Sequence, residues 1–228
     1  MDKDCFNMAI RMLACNEFLM FLDDTIHYID LQFWKYLTKQ TISDFHCEPC
    51  RHAKLDVKRL AKLFECWPGM EYKISQCSNV LLPHSFLGHF TLFVLDMKAR
   101  TIFILDPLPI PDLYAGHPPS MPYVHKINNI SMNVNLAMQV ANPTWKDNIY
   151  FWNREIPTGV LKIDDWEVSG FFVLDFMRSW DGKKLSLICS DGIKLRTEFF
   201  ISKLKFNENE AKENIPVDIQ EFVDRIRC

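Results

Sequence analysis

The chain has 228 residues, 48% of them hydrophobic, and a formal net charge of −3. This size and composition predict one sizeable core and a single domain over residues 1–228, while the lack of a basic run argues against nucleic-acid binding. The chain contains no 18-residue apolar run and no leader-like start, which argues against membrane insertion or secretion, and its eight scattered cysteines are then expected to be reduced, in the nucleus or cytoplasm.

The first half of the chain contains two predicted helices. Residues 4–15 carry Phe6, Ile10 and Leu13 at helical spacing, with Asp4 as a candidate N-cap. Residues 55–66 place leucines among lysines, which predicts a surface helix that ends before a Trp-Pro-Gly sequence.

A cysteine pair lies between these helices. Cys47 and Cys50 have zinc-ligand spacing, and His46 and His52 flank them. Structural zinc normally needs a second, separated pair of ligands, which the sequence does not offer. We therefore interpret residues 43–52 as a polar loop and predict neither a metal site nor a cofactor.

The segment Gly88–Pro109 is the centre of the sequence. It reads GHFTLFVLDMKARTIFILDPLP, in which two nearly continuous apolar runs are separated by a polar insert. This pattern predicts a hairpin within a sheet that is covered on both faces. Because adjacent antiparallel strands bring the start of one beside the end of the other, His89 and Asp106 are expected to meet as the orienting pair of a nucleophilic catalyst.

The second half is predicted to be mainly helical. A proline-rich loop, 107–122, comes first, and it is either a binding segment or a tolerated surface insertion. Helices are expected at 127–141, 171–180 and 193–206, the second of them apolar nearly all round and therefore central. A last amphipathic helix begins at Pro216.

Three segments resemble the ubiquitin-like (SUMO-type) cysteine proteases, especially their divergent plant and transposon branch. GHFTLFVLD followed by FILDP is similar to the family's histidine and aspartate segments, and DDWEVSGFFVLDFMRSWDG (164–182) to its nucleophile segment. The likeness extends over about residues 4–182. It implies an α+β, papain-like fold, with a mostly antiparallel central sheet flanked by helices and a buried helix that starts at Ser169.

The resemblance also implies a site. His89, Asp106 and residue 169 would form the triad, but Ser169 stands where the family has its cysteine. A nucleophile at the start of a helix benefits from free backbone N–H groups and the positive end of the dipole. The family's oxyanion glutamine falls near Ile163, and the tryptophan that follows its histidine is Phe90. Trp166 and Gly170 complete the partner-binding residues that we expect.

These departures predict an inactive protease that binds a protein partner, a ubiquitin-like modifier being one candidate. Three alternatives stay open. Ser169 is an introduced substitution in an active isopeptidase; the triad serves acetyl transfer, as the same triad on the same fold does in some acetyltransferases; or the loop 107–122 is the working part of a structural or regulatory protein.

Overall fold

A computed structural model describes residues 1–18, 26–34, 57–65, 72–182, 184–186, 189–206 and 214–225. The candidate zinc ligands Cys47, Cys50, His46 and His52 lie outside these residues. None of the described helices is long and apolar enough to cross a bilayer.

The centre of the fold is a mixed five-stranded sheet in the order β1-β2-β3-β4-β5. Its strands are β1 (Ile26–Tyr28), β2 (Asn79–Phe86), β3 (His89–Asp96), β4 (Thr101–Leu105) and β5 (Asn153–Glu155). The long strands β2, β3 and β4 pair antiparallel, and the short edge strands β1 and β5 pair parallel to their neighbours. The predicted hairpin and the α+β class are thus confirmed.

Helices cover both faces of this sheet, as the continuous apolar strands predict. The described helices are α1 (Lys3–Phe18), α2 (Val57–Lys62), α3 (Val124–Ala141), α4 (Ser169–Ser179), α5 (Gly192–Lys205) and α6 (Val217–Arg225). One core cluster joins α1, α4 and α5 to the face that carries Leu81, Leu92 and Leu105. The other joins α2 and α3 to the face of Leu82 and Phe93.

Helix α4 is the most deeply buried of the described helices, as predicted. Every residue from Ser169 to Met177 is buried. The apolar circumference of this helix fits between the sheet on one side and α1 and α5 on the other.

Two details differ from the sequence predictions. The first helix is capped by Asp2, not Asp4, because the Asp2 carboxylate accepts the N–H groups of residues 4 and 5. Helix α3 begins at Val124, directly after a short 3₁₀ turn. The last predicted helix is present as α6, directly after Pro216, with Val223 buried and Phe222 63% exposed.

Candidate functional site

A tight turn brings the predicted histidine into position. Strands β2 and β3 are joined by Leu87 and Gly88 alone, and both residues have positive φ, 49° and 84°. This is the backbone of a type I′ hairpin turn, whose twist matches that of the flanking strands. His89 is therefore the first residue of β3, at the end of the sheet where β4 finishes.

His89 and Asp106 meet at this end, as the hairpin predicts. The His89 Nε2 and Asp106 Oδ1 atoms are 2.9 Å apart. A carboxylate only accepts, so Nε2 carries the hydrogen in the neutral ring and Nδ1 keeps its lone pair. The imidazole is thereby oriented with Nδ1 as its basic atom.

Asp106 is held by several donors besides His89. Its carboxylate accepts hydrogen bonds from the Tyr123 hydroxyl (3.0 Å), the Thr91 hydroxyl (3.2 Å) and the Leu108 N–H (2.9 Å). Burial alone would raise the pKa of Asp106, but the hydrogen bond and charge of His89, with the bonds from Leu108 and Tyr123, hold that pKa below its ordinary value. Asp106 is thus maintained as a buried anion.

Ser169 lies beside the same turn, but its hydroxyl points elsewhere. It donates to the Trp166 carbonyl at 2.6 Å and accepts the Phe90 N–H at 3.2 Å, with the Gly88 carbonyl at 3.5 Å. Ser169 is 0% exposed. Among the described residues, no hydrogen bond joins its hydroxyl to the His89 ring, so the imidazole is not placed to take its proton.

The start of α4 is also covered. A Cβ at Gly170 would lie 3.2 Å from both the Phe90 ring and the Met1 side chain. Phe90 itself is fully buried and packs on Phe6 at 4.6 Å between ring centroids. The backbone at Ser169 and Gly170 is therefore enclosed by side chains in this conformation.

Trp166 is the exposed member of the expected partner-binding residues. Its ring lies on Gly88, where an added Cβ would come within 2.5 Å of it, yet the residue is 48% exposed. Phe90 and Gly170, the other two, are buried. Only Trp166 among the three is accessible to a partner without rearrangement.

The chain is similar to known proteins in structure but not in sequence. No family model matches the chain, and no curated protein does. The structure matches the SUMO protease Ulp1 with its catalytic cysteine oxidised to a sulfenic acid, at 12% identity and TM-score 0.55, over 87% of this chain and 74% of that chain.

Two further solved structures match the chain over a similar range. The C-terminal Ulp1 protease domain in complex with Smt3, the yeast ortholog of SUMO, matches at 12% identity and TM-score 0.52, over 87% of this chain and 74% of that one. A de-sumoylating protease matches at 12% identity and TM-score 0.51, over 98% and 73%. The chain has the fold of the Ulp1-like SUMO proteases.

The residue that the sequence resemblance places near the oxyanion position carries no side-chain donor. Ile163 has an aliphatic side chain, and its N–H is bonded to the Pro107 carbonyl at 2.8 Å. Gln139, the nearest upstream glutamine, is an exposed residue of α3. Ile163 therefore offers no side-chain amide.

Several residues that contact Asp106 were not predicted from the sequence. Thr91 was detectable, because it lies two residues after His89 and therefore on the same side of β3. Tyr123 carries no local signal, since only the packing of α3 brings it to Asp106. Lys162 anchors the next segment through the carbonyls of Asp106 (2.7 Å) and Leu108 (3.1 Å), and burial lowers the pKa of this lysine.

His84 is a second histidine near the site. Burial first, then the charges of Lys126 and His89, lowers its pKa to about 3, and its Nδ1 atom is buried with no hydrogen-bond partner among the described residues. His84 is therefore neutral and belongs to the packing around Trp34, whose ring centroid is 4.4 Å away. In the part of the chain that the structure describes, no group of three potential ligands could hold a metal ion.

Proposed function

We propose that this chain is a catalytically inactive relative of the SUMO-type cysteine proteases, of the divergent plant and transposon-type branch, that acts by binding a protein. A single domain over residues 1–228, in the nucleus or cytoplasm, is part of this proposal. The fold, which is that of Ulp1-like proteases, supports the ancestry.

The direction of the Ser169 hydroxyl carries the proposal. A thiol at the start of a helix ionises readily, whereas an alcohol stays protonated near neutral pH and needs a base in contact with it. Here the hydroxyl donates to the Trp166 carbonyl and the His89 base receives nothing from it. The hydroxyl is thus used as a structural link between α4 and the hairpin.

The residue at the expected oxyanion position also supports the absence of catalysis. Removal of one oxyanion donor typically lowers the rate by about 10²–10³. With Ile163 at this position, a tetrahedral intermediate at residue 169 would lack that side-chain donor. Replacement of sulfur and loss of the donor together leave little transition-state stabilisation.

The binding role is supported by what the chain retains. The His89–Asp106 pair with its Tyr123 and Thr91 donors, and the buried α4 helix, are all present at this end of the sheet. One structural neighbour is a protease domain in complex with Smt3. A ubiquitin-like modifier is therefore the first partner to test.

The test combines binding with covalent trapping. We expect a SUMO-type modifier to bind in calorimetry, and a modifier with an electrophilic C-terminus to leave residue 169 unlabelled. A covalent adduct at Ser169 would contradict the inactive assignment. Absence of binding by every ubiquitin-like modifier tried would contradict the partner assignment alone.

A second candidate is an active isopeptidase whose cysteine at position 169 has been replaced by serine. The intact His89–Asp106 contact of 2.9 Å favours it, because this pair has no need to persist without a nucleophile. Strong turnover by the Ser169→Cys variant would establish this candidate in place of the first.

A further inference from the structure

The turn that leads into His89 presents apolar side chains to solvent. Phe86 is 62% exposed, Leu87 81% and Trp166 48%. Because the Trp166 ring lies on Gly88, all three side chains surround the same two-residue turn. We call this group, Phe86, Leu87 and Trp166, the turn patch.

The conformation and exposure of Leu87 do not stabilise the fold. Its φ of 49° is a conformation that favours asparagine or glycine, and a branched side chain there costs free energy. The side chain is exposed, so no burial offsets that cost. An exposed, strained apolar residue next to a candidate site is typical of a residue whose contacts lie outside its own chain.

The charged residues around Trp166 indicate the charge of such a partner. Asp164, Asp165 and Glu167 are all exposed and bracket Trp166 in sequence. Lys162, the nearest lysine along the chain, keeps its charge and is held by the carbonyls of Asp106 and Leu108, so the three carboxylates outnumber it. The patch therefore has an apolar centre with a negatively charged side.

We propose that the turn patch binds a polypeptide segment that carries an aliphatic or aromatic side chain next to lysine or arginine. The apolar side chain would pack on Leu87 and Trp166 and complete the burial that the fold leaves unfinished. The basic residues would face the three carboxylates, which selects against acidic segments. This inference rests on the proposed function and adds the chemistry of the partner segment to it.

Two fluorescein-labelled peptides test the inference by anisotropy. Both have a central Leu-Phe pair, flanked on each side by two arginines in one peptide and by two glutamates in the other. We expect the arginine peptide to bind, and to bind more weakly as NaCl rises from 50 to 300 mM. The glutamate peptide should not bind.

Leu87→Asn is the decisive variant, because asparagine suits the positive φ of the turn and we therefore expect the fold to be kept. It should weaken binding of the arginine peptide by about fivefold, the loss expected for one apolar contact. Glu167→Lys, as a separate variant, should weaken binding of this peptide more than Leu87→Asn does. Phe151→Asn is the matched control, since Phe151 is 78% exposed but precedes β5 at the far end of β4. This control should bind as the parent does.

Equal binding of the two peptides, or equal effects of Leu87→Asn and Phe151→Asn, would overturn the inference. A dimer in sedimentation that Leu87→Asn dissociates would also overturn it, because the occupant would then be a second copy of the chain. Cleavage of a modifier precursor is measured separately. If the chain cleaves the precursor and still binds the arginine peptide but not the glutamate peptide, the proposed inactivity is wrong, while the inference about the turn patch holds.

Discussion

Acid sensitivity of His27 is the prediction that the structure defines most sharply. The ring is fully buried, its Nε2 donates to the Leu63 carbonyl at 2.7 Å, and its Nδ1 accepts from the Tyr72 hydroxyl at 2.8 Å. Burial lowers the pKa of His27 from 6.5 to about 4, although the bond to Leu63 opposes part of this effect. His27 thus links β1 to the segment after α2 only as a neutral ring.

The direction in which stability changes with pH follows from which state binds the proton. Above pH 6.5 neither the folded nor the unfolded chain protonates this residue. Between pH 6.5 and 4 the unfolded chain takes up a proton that the folded chain refuses, so stability falls as the pH falls, and below 4 the loss levels off. Between pH 7.5 and 5.0 this amounts to about 2 kcal/mol of unfolding free energy from His27 alone.

Urea unfolding of the parent, His27→Gln and the surface control His117→Gln at both pH values measures this contribution. The parent and the control should lose stability on acidification by about 2 kcal/mol more than His27→Gln does, whatever the starting stability of each variant. An equal loss in the parent and in His27→Gln would refute the reasoning. So would an NMR titration in which the His27 ring protonates above pH 6 in the folded protein.

Further predictions concern the turn and the nucleophile. Leu87→Asn should raise stability by about 1 kcal/mol and the melting temperature by about 2–4 °C, measured by calorimetry; an unchanged or lower melting temperature would show that Leu87 is not strained. Gly88→Ala should lower stability by about 1–2 kcal/mol because of the positive φ at this position. Displacement of the Trp166 ring should add to this loss. The added loss should disappear when Gly88→Ala is introduced into the Trp166→Ala variant. Ser169→Cys should leave modifier cleavage weak, because Ile163 offers no oxyanion donor; robust turnover by this variant would place the donor elsewhere.

Local patterns were sufficient for the elements that surround the site. The apolar runs on either side of residues 97–100 predicted β3 and β4, and the apolar circumference of residues 171–180 predicted the buried α4. The antiparallel pairing then required His89 and Asp106 to meet. Each of these inferences depends on periodicity within one segment or between two adjacent ones.

Long-range packing decided the rest. Tyr123 reaches Asp106 only because α3 covers that face of the sheet, and no spacing in the sequence records this. The three-residue strands β1 and β5 are too short to give an alternating pattern. The direction of the Ser169 hydroxyl depends on the Trp166 carbonyl and the Phe90 N–H, which become neighbours only after α4 has packed against the hairpin.

Processing of a modifier precursor tests the central claim most directly. The purified chain and its His89→Ala variant are incubated with SUMO and other ubiquitin-like precursors, and release of the C-terminal extension is followed by mass spectrometry. We predict that neither protein releases product above the buffer control. Release by the parent chain that His89→Ala abolishes would contradict the account.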